Sequence, residues 1–224
     1  MTRELAASDG AGGLTRERKL VPAQAALLVI DVQRYDAIPG EGEHADIDPG
    51  AIPDSHAYYF ERLRSVVLPN IRRLQDACRA AGAEVMFTVV ENLTRDGRDR
   101  SLDYKISGIG VPRGSPDARM VDEIAPADDE IVIPKTASSV FNATNIDYVL
   151  RNLEIDYLVV AGLLTDQCVE SAVRDACDRG FLVTLVEDAC GTYSEARHDG
   201  TLGAIKGYCR IRGTAEVVAE LAKG

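Results

Sequence analysis

Apolar residues in this chain fall into short, nearly unbroken runs separated by polar stretches with helical periodicity. Ala25-Ala-Leu-Leu-Val-Ile30, Ala83-Glu-Val-Met-Phe-Thr-Val-Val90, Leu158-Val-Val-Ala-Gly-Leu-Leu164 and Phe181-Leu-Val-Thr-Leu-Val-Glu-Asp188 have strand length. Their near-continuous apolarity is that of strands covered on both faces. Glu130-Ile-Val-Ile-Pro-Lys135 is a shorter run of the same kind, and a further short strand is expected at 208–211. Helical spacing runs from about residue 60 to residue 81, where Gly82 closes it, and returns at 142–153, 194–206 and 214–222. It also follows Cys168, on Val169, Ala172, Val173 and Ala176. Strands alternating with helices predict an α/β fold, a three-layer αβα sandwich on a mostly parallel sheet with right-handed crossovers. Residues 35–56, rich in Gly, Pro, Asp and Glu, read as a long irregular loop. The polar excursion 91–114 is a second long loop, and such loops in compact domains are usually functional.

The chain has 224 residues, enough for one domain with a substantial core, expected at 23–224 behind a flexible arm of residues 1–22. That arm lacks the apolar core of a signal peptide. No apolar run approaches the roughly 20 residues needed to cross a bilayer. A net charge of −11 argues against nucleic acid or an anionic membrane as partner, since neither attracts an acidic protein. Five cysteines without a CxxC do not suggest a disulfide framework and fit a reducing cytoplasm.

Three polar residues stand at or just beyond the carboxyl ends of apolar strands: Asp31, Lys135 and Cys168. Taken singly, each has a plain explanation. An aspartate ending a strand is often a loop or capping residue, and a lysine after Pro134 is ordinarily solvated. A free cysteine is more often a small buried hydrophobe than a nucleophile. Together they mean more, because the strand ends of a parallel sheet converge on one rim, where open α/β sheets bind ligands. Cys168 lies where strand gives way to helix, with Thr165 or Asp166 as helix cap. A helix amino terminus should lower the thiol pKa. A carboxylate can take the thiol proton, and an ammonium can stabilise the charge that results. Cys78, Cys177, Cys190 and Cys209 lack this placement.

Leu28-Val-Ile-Asp31-Val-Gln33, Ile133-Pro-Lys135-Thr-Ala-Ser-Ser-Val-Phe141, Gly162-Leu-Leu-Thr-Asp-Gln-Cys168-Val and Val186-Glu-Asp188-Ala resemble, in this order, the isochorismatase-like cysteine hydrolases. That superfamily includes ureidoacrylate, biuret and N-carbamoylsarcosine amidohydrolases, and the resemblance runs from about residue 25 onward. It implies Asp31 as general base and acid, Lys135 as electrostatic partner and Cys168 as nucleophile. It further implies a cis peptide between Leu163 and Leu164 that aims the amides of Leu164 and Cys168 at an oxyanion. A cysteine-dependent amidohydrolase forming a covalent acyl-enzyme, without cofactor and assembled as dimers or tetramers, is the implied activity.

Departures from the family pattern narrow the expectation. Nicotinamidases carry an Asp-x-His metal motif after the second strand, where this chain has Val90-Glu-Asn-Leu93. His44, His56 and His198 have no metal-ligand spacing and are expected to face solvent, so no metal site is expected. Isochorismatases proper lack the cysteine. Substrate-binding candidates are Gln33 and Tyr35 beyond Asp31, Asn92 after the second strand, Arg95 and Arg98 in the excursion, and Phe141, which is equally plausible as core. An arginine there could clamp a carboxylate or ureido oxygen, which favours a small, polar, anionic ureido substrate. The alternative is a solvated loop, because Asp96, Asp99 and Asp103 alternate with the basic residues. Two other classes compete. A dinucleotide-binding module lacks its GxGxxG in the first βα turn. A thiol redox centre lacks a CxxC resolving partner.

Overall fold

The computed structural model describes residues 15–223. Six parallel strands form one sheet in the order β3-β2-β1-β4-β5-β6. They are β1 (Ala25–Ile30), β2 (Glu84–Val90), β3 (Ile131–Lys135), β4 (Tyr157–Leu163), β5 (Leu182–Gly191) and β6 (Arg210–Arg212). The helices are α1 (Arg34–Ala37), α2 (Asp54–Arg62), α3 (Leu68–Ala81), α4 (Leu102–Ser107), α5 (Val140–Ala143), α6 (Ile146–Asn152), α7 (Glu170–Asp178), α8 (Glu195–Ile205) and α9 (Thr214–Leu221).

Strand alternation divides the core in two, because successive side chains point to opposite faces. Leu27, Val29, Phe87 and Val159 face Ile71 and Leu74 of α3 and Val217 of α9. Ala26, Leu28, Ile30, Met86 and Val160 face Ile146 and Leu150 of α6 and Val173 of α7. The expected three-layer sandwich is therefore present. Of the expected arm, residues 1–14 lie outside the described residues. Residues 15–22 run beside the last elements, where Glu17 pairs with Arg212 at 2.5 Å and the Leu20 amide donates to Glu220 at 2.5 Å. No described helix is long and apolar enough to cross a membrane.

Several elements depart from the expected pattern. The stretch 35–56 is not wholly irregular, since it holds α1, a short turn at Gly42–His44 and the start of α2. The helix expected from residue 60 begins at Asp54, passes through a π turn at Leu63–Val67 and ends where Gly82 takes φ 71°. The left-handed conformation there favours glycine. The expected helix 142–153 is two pieces, α5 and α6. Pro134 is tolerated because β3 is an edge strand, where a missing amide breaks no inner ladder.

Candidate active site

Order β3-β2-β1-β4 makes β1 and β4 neighbours, so the carboxyl ends of the two strands open side by side. Asp31 follows β1 with φ 53°, a left-handed conformation uncommon outside glycine, asparagine and aspartate. Its amide donates to the Thr88 carbonyl and its Oδ1 accepts the Thr88 hydroxyl at 2.7 Å. Oδ2 faces Lys135 Nζ at 2.8 Å as an ion pair without hydrogen-bond alignment, which leaves that oxygen without a hydrogen-bond donor. Both side chains are buried.

Lys135 closes β3 and reaches inward rather than to solvent. Its ammonium donates to the Ala137 carbonyl at 2.9 Å, the Tyr104 hydroxyl at 3.1 Å and Cys168 Sγ at 3.4 Å. Burial disfavours its charge, but Asp31 and the groups around it outweigh that and raise its pKa well above the ordinary lysine value. The lysine therefore remains an ammonium.

Cys168 sits in a π turn, Thr165–Val169, that joins β4 to α7 after a cis peptide at Leu163-Leu164. The Leu164 carbonyl accepts the Gln167 and Val169 amides at 3.0 and 3.2 Å. Neither expected cap is used in that way. Thr165 bonds His198 instead, and Asp166 accepts from Thr192 and Arg197. Nor is the thiol acidic. Burial pushes its pKa up to about 12 against the pull of Lys135, with Asp31 adding to the rise. The expectation of a lowered pKa counted a helix end and omitted desolvation, which wins here. At neutral pH the sulfur is protonated, and Asp31 is the acidic side chain that acts on it.

The cleft above these groups encloses about 430 Å³. Asp31, Leu164 and Cys168 line it together with Tyr35, Asp36, Glu43, Asp103, Tyr104, Gln167 and Tyr193. Asp36 stands beside Glu43, and burial followed by the charges of Asp31 and Glu43 raises its pKa well above the carboxylate range. Among the candidates for binding substrate, Tyr35 alone lines this space. Gln33 is fully buried and ties the Val90 backbone to the Asp117 carbonyl. Asn92 is buried outside the cleft, its amide donating to the Val111 carbonyl. Arg95 and Arg98 are exposed, Arg98 pairing with Asp96 at 3.0 Å. Phe141 packs into the core against Phe181, with ring centroids 5.9 Å apart.

Thr88, which the chain alone left unmarked, and Tyr104 of the polar excursion complete the site. Thr88 is a single hydroxyl in an apolar strand, and its pairing opposite Ile30 aims it at Asp31. Tyr104 rides on α4, which Ser101 caps and Gly108 ends, and the Ser101 amide bonds the Thr136 carbonyl. That last bond fastens the excursion over Lys135. His44 and His198 are buried rather than solvent-facing, and His56 is half-buried. Among the described residues no group of His, Cys, Asp and Glu could hold a metal ion.

Fold and cleft together define a doubly wound α/β protein with a ligand crevice at its strand ends. Within that class the chain belongs to the isochorismatase-like hydrolase family, the isochorismatase domain matching residues 25–217. N-carbamoylsarcosine amidase of an Arthrobacter species is 33% identical over 66% of this chain and 58% of its own length. The ureidoacrylate amidohydrolase RutB of Rhizobium rhizogenes is 31% identical over 76% of this chain and 71% of its own. The first is named an amidase and the second an amidohydrolase. In fold, a cysteine hydrolase from Pseudomonas syringae pv. phaseolicola 1448A superposes with a TM-score of 0.78 at 23% identity, covering 95% of this chain and 99% of that one.

Proposed function

We propose that the protein is a cysteine amidohydrolase cleaving the C–N bond of a small amide, ureido or carbamoyl compound through a covalent acyl-enzyme. The observation that carries this reading is the buried cluster of Cys168 Sγ, Lys135 Nζ and Asp31 Oδ2 at the floor of the cleft. Asp31 Oδ2 takes the thiol proton and the sulfur attacks the carbonyl carbon. Amides of Leu164 and Cys168 receive the oxyanion. The C–N bond breaks as Asp31 returns its proton to the leaving nitrogen. Water, deprotonated by Asp31, then opens the thioester, releases the acid and restores the thiol. Lys135, paired with Asp31, balances the charge that passes through sulfur.

The wall of the cleft bears on substrate charge. Glu43 and Asp103 line it and, among the described residues, no arginine does, so an anionic ureido compound, the class favoured by an arginine clamp, meets like charge. Uncharged or cationic amides fit better. The test measures ammonia release, with chelator present, from anionic amides (ureidoacrylate, maleamate, N-carbamoyl amino acids), uncharged ones (biuret, nicotinamide) and the cationic glycinamide. Cys168→Ala and Cys168→Ser run beside the wild type. Turnover should vanish in both variants while circular dichroism stays native, and the anions should be the poorest substrates. Full activity in a folded Cys168→Ala protein would refute the mechanism, and a preference for the anions would refute the charge assignment.

A further inference from the structure

Tyr104 touches both Lys135 and Cys168, and the hydrolytic scheme above gives it no task. Its ring is buried against Val90 and Val111, and its hydroxyl lies 3.1 Å from Lys135 Nζ and 3.7 Å from Cys168 Sγ. An ammonium can only donate, so the phenol oxygen accepts from Lys135. The single phenol proton must then point elsewhere, and the sulfur is the acceptor within its reach. We propose that Tyr104 is a catalytic residue whose hydroxyl donates to the Cys168 sulfur and steadies the thiolate after Asp31 has removed its proton. This rests on Cys168 being the nucleophile, as in the preceding reading.

A neutral thiol is a weak acceptor, and 3.7 Å is a long contact to it. A thiolate is a strong acceptor, so the bond gains most when charge sits on sulfur. An interaction worth more with the charge present than before it lowers the barrier instead of merely tightening the resting state. Asp31 and Lys135 form an ion pair, whereas Tyr104 offers a donor with no charge of its own. Burial raises the phenol pKa, so the hydroxyl keeps its proton even beside a thiolate. The residue is carried by the excursion after β2, so order in that loop and readiness of the nucleophile are linked.

Alkylation of Cys168 by iodoacetamide reads this contact without any substrate. The rate is followed on the Cys168 peptide by mass spectrometry across about pH 6 to 10, where a thiol of raised pKa gains reactive thiolate steadily as pH rises. Tyr104→Phe should slow alkylation near neutral pH by about tenfold and move the profile to higher pH, the expected cost of losing one hydrogen bond to a charged group. On any amide that is turned over, kcat should fall by a similar factor with KM little changed. An unchanged alkylation profile in folded Tyr104→Phe would overturn the proposal. Should that variant misfold, 3-fluorotyrosine placed at position 104 keeps the ring's shape and makes it a stronger donor. The profile should then move to lower pH, and a profile that stays in place would count against the contact. Persistent hydrolysis by Cys168→Ala would instead sink the nucleophile reading, so the two failures are distinguishable.

Discussion

At the level of single residues, His198 shows how the site is held from behind. Arg62 approaches its Nε2 at 3.0 Å, and because arginine only donates, Nε2 must be the acceptor. The proton therefore sits on Nδ1, which donates to the Thr165 hydroxyl at 3.0 Å, at the first residue of the turn that presents Cys168. Burial, then Arg62, lowers the imidazole pKa to about 4 from an ordinary 6.5. The folded protein needs this ring neutral, while the unfolded chain protonates it at the higher value. Its contribution to stability is complete above about pH 6.5 and is lost as pH falls toward 4. Urea unfolding at pH 7 and at pH 5 should show a drop in midpoint that is smaller in His198→Gln. An equal drop in the variant would assign the acid sensitivity to other groups. Nothing in the local sequence distinguishes this histidine from a solvated one on α8, because its partners come from α2 and the cysteine turn.

Among the elements, the contact between β1 and β4 sets how closely Asp31 and Cys168 can approach. Gly162 pairs with Ile30 at φ 125°, and a Cβ added there would stand 2.1 Å from the Ile30 carbonyl oxygen. Only glycine satisfies both the conformation and the space. Gly162→Ala should destabilise the protein by about 3 kcal/mol or more, from backbone strain and overpacking together. A thermal melt within a degree or two of wild type would contradict this reading of the strand pair. The strands themselves were legible as apolar runs because both faces of this sheet are covered. Helix boundaries were less so. The π turn at Leu63–Val67 and the split between α5 and α6 arise from what those segments meet in space, to which periodicity is blind. In the motif Val186-Glu-Asp188-Ala, the aspartate accepts the Thr214 amide and hydroxyl at the start of α9 and stands apart from the cleft.

For the molecule as a whole, strand order and charge distribution set the chemistry. The order places β1 beside β4 where the connections reverse direction, the position at which open α/β sheets form a crevice. The dinucleotide-binding folds share that order, but the first βα turn here supplies Asp31 and Tyr35 to a cleft instead of a glycine cradle for phosphate. A net charge of −11, part of it carried by Glu43 and Asp103 at the cleft, draws cations and repels anions over a distance that salt shortens. For a cationic amide, kcat/KM should fall as ionic strength rises from about 0.01 to 0.15 M, since the screening length shrinks from about 30 to 8 Å. A neutral amide should be nearly indifferent. A cationic substrate equally indifferent to salt would show that the acidic wall does not act on it. The sequence alone determined the alternation of apolar strands and helices, and with it the parallel sheet and the rim where Asp31, Lys135 and Cys168 had to lie. Tertiary structure decided what surrounds them: Tyr104, Thr88, Asp36 and Glu43 rather than Gln33, Asn92, Arg95, Arg98 and Phe141. It also decided that the thiol is protonated at rest. Strand runs follow from local hydrophobicity. Desolvation, and which loop side chains reach a cleft, depend on residues brought together from distant parts of the chain.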